Sequence, residues 1–194
     1  MKCFKKFTIV LLLLLPVSAQ GGVLVEPFLG LTVSGSQELS YSNSALNDDA
    51  SYDSGTSFGV RLGYDYLGWM FGLDYRINSF NGEGDSGGST YDFNQTSNVA
   101  SLFVGFQFPM MFRIYAGFGV SGSGTLEYGV FDYDVEDVSQ TTLGFGYSIL
   151  PTLAVNLEVV NYTFADISDS SGTYSNVELV GDHILLSVSA PFTF

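Results

Sequence analysis

Acidic residues are the most frequent groups in this sequence that could do chemistry, and several of them cluster. Carboxylate oxygens are the ligands that Ca²⁺ and Mg²⁺ prefer, so a cluster is a candidate divalent-cation site. No EF-hand spacing occurs, and a solvated, repulsive surface is the favoured interpretation, with binding of a basic partner as a further alternative. One cluster contains Asp48, Asp49 and Asp53, and the second, the candidate cation site, contains Asp132, Asp134, Glu136 and Asp137.

A second group of charges lies in apolar surroundings. Several segments of the sequence alternate between bulky apolar and small residues. Three arginines and four carboxylates occur singly at the small-residue positions of these segments: Glu26, Arg61, Asp65, Asp74, Arg76, Arg113 and Glu158. A two-residue turn at Leu67-Gly68 would set Arg61 directly opposite Asp74. An isolated charge in such surroundings costs several kcal/mol, so we expect ion pairs. The favoured interpretation is a salt-bridged plug, and the alternative is an ion path or gate.

The sequence offers very few histidine or cysteine ligands for a transition metal. His183 is the only histidine, and it follows Asp182 near the start of the last segment. The only cysteine, Cys3, lies near the N-terminus. One histidine and one such cysteine do not form the ligand set of a transition-metal site, so we predict no metal of that kind and no cofactor.

The N-terminus has the features of a secretory signal. Three lysines start the chain, an apolar run follows at residues 7–15, and small residues occupy positions 17–19. We therefore expect a cleavable signal peptide over residues 1–19, which removes Cys3, and one domain over residues 20–194.

The bulk composition excludes several classes of protein. A net charge of −14 argues against nucleic-acid binding, which requires a basic surface. Hydrophobic residues make up 46% and charged residues 13%, so intrinsic disorder is excluded as well. Loss of the signal peptide leaves three arginines against twenty carboxylates.

Bulky and small residues alternate strictly in segments of about ten residues, which is the period of a strand with two unlike faces. In the first segment Leu29 and Leu31 lie on one face, and Glu26, Gly30 and Ser34 lie on the other. Eight such segments occur, at residues 25–34, 57–66, 69–78, 100–108, 112–120, 143–149, 153–159 and 184–194.

The small face distinguishes a membrane barrel from a soluble sandwich. It carries mainly Gly, Ser, Thr and Asn, which suit a narrow lumen, while the bulky face suits lipid. Closure is then required, because open strand edges are not tolerated in hydrocarbon. Short links alternate with four long loops, so both termini are expected in the periplasm. The predicted loops, which contain sixteen of the twenty carboxylates, are residues 35–56, 79–98, 122–140 and 163–182.

The C-terminal segment alternates up to a terminal phenylalanine: Leu186, Val188, Ala190, Phe192 and Phe194. It resembles the signal by which the outer-membrane assembly machinery recognises its barrels. With the signal peptide and the strand count, the mature chain resembles the OmpA-type transmembrane domain and related small eight-stranded barrels of Gram-negative bacteria. The resemblance implies an all-β, eight-stranded, antiparallel up-and-down transmembrane β-barrel in the cell envelope. Outer-membrane lipid and lipopolysaccharide are the implied surroundings.

Three functions follow as hypotheses. The first is a non-enzymatic surface protein whose acidic loops serve a structural, adhesive or envelope-stabilising role, with divalent cations bridging to lipopolysaccharide as one option. Tyrosines such as Tyr52 among Ser and Gly give the loops the composition of an adaptable binding surface, and interfacial aromatics are the equal alternative. The second is a narrow, porin-like channel. The third is a lipid A-modifying enzyme, although Leu185 stands where the deacylases' His-x-Ser pair would place serine, and Ser187 lies further on.

Overall fold

The computed structural model describes residues 21–41, 48–86, 89–128, 131–169, 172–174 and 177–194. The predicted signal peptide lies outside these residues. The described residues contain strands and turns, and no helix among them is long and apolar enough to cross a membrane.

The strands form one antiparallel sheet that closes on itself. Each strand pairs with the next along the chain up to β7, and β9 pairs with both β7 and β1. The short β8 pairs with the C-terminal end of β7, and the short β10 pairs with the N-terminal end of β1. Neither adds a position to the ring, which therefore has eight strands, and the predicted fold class is confirmed. The strands are β1 Gly22–Tyr41, β2 Asp48–Tyr66, β3 Trp69–Ser86, β4 Ser89–Gln107, β5 Phe112–Tyr128, β6 Phe131–Leu150, β7 Leu153–Asp169, β8 Gly172–Tyr174, β9 Val177–Ser189 and β10 Phe192–Thr193.

The two ends of the barrel differ. At one end, the turn end, strands are joined by short links such as Leu67-Gly68. Both residues have positive φ (53° and 84°), the conformation of a two-residue type I′ hairpin turn. This turn pairs Tyr66 with Trp69 and, counted back, Arg61 with Asp74, which confirms the predicted register. The opposite end, the hairpin end, carries the outer portions of the long strands.

The predicted long loops are wrong in extent. Strands β1 to β7 have 17 to 20 residues and continue through most of the four ranges expected to be loops. All sixteen carboxylates assigned to loops fall within strand bounds. The error has a simple cause: beyond the apolar segments the outward face is also polar, so the hydrophobic alternation ends while the pairing continues.

The outward face carries an apolar band at the turn-end half of the barrel. Leu29, Phe58 and Leu102 are each more than half exposed, as expected for side chains that face lipid. At about 3.3 Å per residue and a tilt of about 40°, strands of this length rise about 50 Å, whereas the apolar band of a membrane barrel is about 25 Å tall. The hairpin-end half therefore extends beyond the band.

Candidate functional site

Six buried charges meet in the barrel interior at the level of the apolar band. They are three arginines and three carboxylates, each no more than 4% exposed: Glu26, Arg61, Asp74, Arg76, Arg113 and Glu158. They come from strands β1, β2, β3, β5 and β7, and all lie on the inward face because inward and outward positions alternate along each strand. We call this set the charged core.

Arg61 is the centre of the charged core. Its Nη1 donates to Glu26 Oε1 at 2.9 Å, and its Nε donates to Asp74 Oδ2 at 3.0 Å. Its Nη2 donates to Glu158 Oε1 at 2.8 Å. One guanidinium thus contacts all three carboxylates, which uses the several fixed donors that distinguish arginine from lysine.

The other two arginines complete the pairing. Arg76 Nη2 bridges Asp74 Oδ2 at 2.8 Å and Glu158 Oε2 at 3.0 Å. Arg113 donates to Glu26 Oε2 at 2.8 Å and to Asn156 Oδ1 at 3.0 Å. Three positive and three negative charges therefore balance, and each carboxylate has at least two arginine donors. Such pairing is what makes buried charge tolerable.

Two aromatic rings pack against the guanidinium of Arg61. Its carbon lies 4.5 Å from the ring centroid of Tyr115 and 4.6 Å from that of Phe28. The Tyr115 hydroxyl donates to Glu158 Oε1 at 2.8 Å. Gly144 lies beside this ring, and a Cβ at that position would overlap it. The ring position therefore depends on the absence of a side chain at residue 144.

Strand β3 shows how the interior is layered. Its inward residues run from Met70 at the turn end through Asp74 and Arg76 to Phe80 at the hairpin end. Met70 belongs to a buried turn-end cluster with Leu24 and Phe103. Phe80 belongs to a buried hairpin-end cluster. That second cluster comprises Tyr52, Phe80, Phe93, Val99, Leu126, Val135, Tyr162, Phe164 and Leu179.

The hairpin-end cluster corrects two expectations from the sequence. The lumen was expected to hold mainly glycine and small polar residues, and Tyr52 was expected on a loop surface. Tyr52 is instead buried and stacks on Phe80, with ring centroids 4.6 Å apart. Large inward residues continue to alternate past the apolar band, for example Tyr162 and Phe164 on β7, and this weaker signal could have located the cluster.

A few polar groups lie within the hairpin-end cluster, beyond the apolar band. Burial raises the pKa of the Tyr162 phenol well above its ordinary value, and the Asp182 carboxylate adds to this effect. The hydroxyl therefore stays protonated and donates to Gln37 Oε1 at 3.3 Å. Tyr52 donates to the same oxygen at 2.9 Å. These bonds fix two large rings across the lumen.

Asp65 does not join the charged core, which corrects its assignment to the lumen charge network. It lies next to the turn end, opposite Gly22 and Met70, and accepts a hydrogen bond from the backbone of Gly68. Its Oδ1 has no hydrogen-bond partner among the described residues. Asp65 lies four residues beyond Arg61 along β2, toward the turn end, and none of the salt bridges among the described residues includes it.

His183 faces the interior, where it is 1% exposed. Its ring lies 4.8 Å from that of Phe80 and 6.0 Å from that of Tyr162, between centroids. Neither ring nitrogen has a hydrogen-bond partner among the described residues. Ser187 is also buried and donates to Glu158 at 3.2 Å. The side chains of His183 and Ser187 therefore point away from the lipid-facing surface.

The candidate cation site on β6 is described only in part. Asp134 and Glu136 point outward and are exposed. The side chains of Asp132 and Asp137 lie outside what the structure describes. Within the described part of the chain, no three acidic, histidine or cysteine side chains come together to hold a metal ion.

The C-terminal residues lie along β1. Phe192 pairs with Val25, and the backbone of Phe194 exchanges hydrogen bonds with Val23 at 3.0 and 3.1 Å. The predicted assembly-signal residues Leu186, Val188, Phe192 and Phe194 are exposed on the outward face, and Ala190 is half-buried.

Comparisons with known proteins agree with this architecture. The family model "Outer membrane protein beta-barrel domain" matches residues 7–192. The crystal structure of Neisserial surface protein A is similar in fold, with a TM-score of 0.52 at 16% identity, over 89% of this chain and 99% of that one. The outer membrane protease OmpT from Escherichia coli aligns over 93% of this chain and 99% of its own, with a TM-score of 0.46 at 10% identity. No protein of curated function matches the sequence.

Proposed function

Because the chain belongs to the outer membrane protein β-barrel family, we propose that it is a non-conducting surface protein of the outer membrane. In this proposal the turn end and both termini face the periplasm, and the hairpin end projects from the cell. Short turns on the periplasmic side and longer segments outside are the usual arrangement in such barrels. The projecting part serves adhesion or envelope stability.

The charged core is the observation that carries the non-conducting part of the proposal. A solute that crossed the barrel would have to separate Arg61 from carboxylates on β1, β3 and β7. It would also have to pass apolar side chains on either side, Met70 toward the turn end and Phe80 toward the hairpin end. Barrels of about eight strands leave interior space only for side chains. This packing favours a salt-bridged plug over the channel alternative.

The projecting part is acidic. All three arginines of the sequence are inside the barrel, whereas the described carboxylates outside the charged core are mostly on the outward face. The register also sets carboxylates opposite each other, such as Glu83 and Asp92. Like charges in directly opposite positions are destabilising. Such a surface attracts basic partners and divalent cations, which could bridge it to anionic lipopolysaccharide.

We also propose that the protein is not an enzyme. The residues that could serve a lipid A-modifying reaction, His183 and Ser187, are buried inside the barrel. Ser187 is engaged with Glu158, and no donor or acceptor among the described residues orients the His183 ring. A nucleophile needs a base within hydrogen-bond reach and access to its substrate.

Cysteine labelling in intact cells tests the orientation and the surface display. Glu127 and Met110 lie at opposite ends of the barrel. Glu127 is exposed near the hairpin end of β5, and Met110 is 72% exposed in the turn that precedes β5. In a Cys3→Ser background, we expect Glu127→Cys to react with a membrane-impermeant maleimide in intact cells. Met110→Cys is expected to react only after lysis. If only Met110→Cys were labelled in intact cells, the barrel would have the opposite orientation, and the proposal would be wrong.

A further inference from the structure

The barrel wall is interrupted at two places near the hairpin-end edge of the apolar band. Between β1 and β2 the pairing stops at Leu31–Thr56 and resumes at Ser36–Ser51. Between β5 and β6 it stops at Phe118–Thr141 and resumes at Ser123–Glu136. All these residues lie in the described part of the chain. The two interruptions are four strands apart in the ring of eight, so they bound a four-stranded panel made of β6, β7, β9 and β1.

Register shifts of the kind that a β-bulge produces flank the interruption between β1 and β2. One lies between Thr32 and Ser34 on β1, and another between Tyr52 and Ser54 on β2. A bulge bends its strand and increases the local twist. The panel bears a groove of about 470 Å³. Most of its lining residues are at outward positions, and the inward Gln37, Ala50, Tyr162 and Gly181 complete the lining.

Two rows of outward side chains cross the panel and line the groove. Within each row, every residue is the register partner of the next on the neighbouring strand. Ser36 Oγ donates to Asp182 Oδ1 at 3.1 Å across one of these pairs. The first row is Thr141, Asn161, Asp182 and Ser36, and the second is Ser139, Thr163, Val180 and Glu38.

The groove begins where the apolar band ends. Two residues nearer the turn end on the same strands, the outward side chains are Leu143, Val159 and Ile184. Two residues along a strand span about 7 Å. The first row of the groove therefore lies at the depth of lipid headgroups, directly next to hydrocarbon.

The lining has the chemistry of a polyol site. Hydroxyls and the Asn161 amide both donate and accept hydrogen bonds, and the carboxylates of Asp182 and Glu38 accept them. The groove has no lysine or arginine in its lining. Phosphate would meet negative charge there, whereas sugar hydroxyls can donate to the carboxylates in charge-assisted hydrogen bonds.

We propose that this groove binds the sugar portion of a glycolipid in the outer leaflet, whose acyl chains continue over Leu143, Val159 and Ile184. The proposal rests on the orientation argued above, since only the hairpin end then adjoins the outer leaflet. It names a binding site and a ligand class for the surface protein.

Titration with a purified, dephosphorylated lipid A–core glycolipid, followed by native mass spectrometry in detergent, tests this site. Asn161→Leu places an apolar side chain in the first row and removes its hydrogen bonds, so we expect affinity to fall about tenfold. The matched control is Asn98→Leu. Asn98 also follows the outward apolar residues of its strand, but it lies on β4 in the opposite panel. We expect the affinity of Asn98→Leu for the glycolipid to stay within about twofold of wild type.

A folding check, a substitute variant and two further ligands complete the experiment. The heat-dependent gel shift of folded barrels verifies folding, and Thr141→Leu replaces Asn161→Leu if the latter does not fold. Equal affinity of both leucine variants and wild type would overturn the site. Equal binding of a phosphoethanolamine phospholipid would overturn the sugar preference, and equal binding of the delipidated core oligosaccharide would overturn the membrane source. Because the titration uses micelles, it does not depend on which end faces outward, so its failure is distinguishable from a reversed labelling pattern.

Discussion

Replacing Arg61 with methionine is expected to lower the free energy of unfolding by about 3–5 kcal/mol, the cost of removing one partner from a buried ion pair. Arg61 contacts Glu26, Asp74 and Glu158, so its loss removes one arginine donor from each of the three carboxylates and leaves them facing only two arginines. The substitution turns a balanced core into one with an excess negative charge. It leaves Tyr115 and Phe28 without the guanidinium that packs against both rings.

Urea unfolding in detergent or lipid vesicles, followed by the fluorescence of Trp69, measures this change. Asp65→Asn is the matched control, because Asp65 is a lumen carboxylate outside the charged core. We expect that variant to remain within about 1 kcal/mol of wild type. If Arg61→Met and Asp65→Asn shifted the unfolding midpoint equally, the ion pairs would not be what stabilises the interior.

A single methyl group at Gly144 is expected to destabilise the barrel by about 3 kcal/mol, at the upper end of the usual cost of overpacking. The new Cβ in Gly144→Ala would overlap the Tyr115 ring. That ring cannot move freely, because its hydroxyl is bonded to Glu158 and its face lies against Arg61. The same urea titration gives the change.

Gly117 supplies the control for this substitution. It is also an inward glycine of the neighbouring strand, but a Cβ there would meet Thr142 at 3.5 Å, an ordinary contact. Gly117→Ala is therefore expected to leave stability nearly unchanged. If the ring is the cause, Gly144→Ala adds no further loss in a Tyr115→Ala background, since the two residues are in contact. Full additivity would contradict this explanation.

The sequence predicted the parts of the charged core that depend on local geometry. Counting back from a two-residue turn at Leu67-Gly68 placed Arg61 opposite Asp74, and the register confirms it. Contacts between strands on opposite sides of the lumen could not be predicted by counting from a turn. Glu158 reaches Arg61 from 97 residues away, and that approach depends on how far the strands are staggered when the ring closes. Asp65 shares the inward face, but its distance from the turn decides that it stays outside the core.

The ends of the strands were predicted least well, for a physical reason. Inside the membrane, lipid requires one bulky face, so the alternation is strong. Beyond it, water accepts polar outward residues such as Thr163 and Glu136, and the inward apolar residues of the hairpin-end cluster are isolated between them. A segment of this kind has the composition of a loop but the hydrogen bonding of a strand.

Planar-bilayer recording of the purified protein tests most directly whether the charged core closes the barrel. The expected result is a silent bilayer for wild-type protein whose folding and insertion are verified in the same preparation. Steady single-channel openings in wild type, altered in ion selectivity by Asp74→Asn, would contradict the account, because ions would then be passing through the very carboxylates and guanidiniums that are proposed to seal the interior.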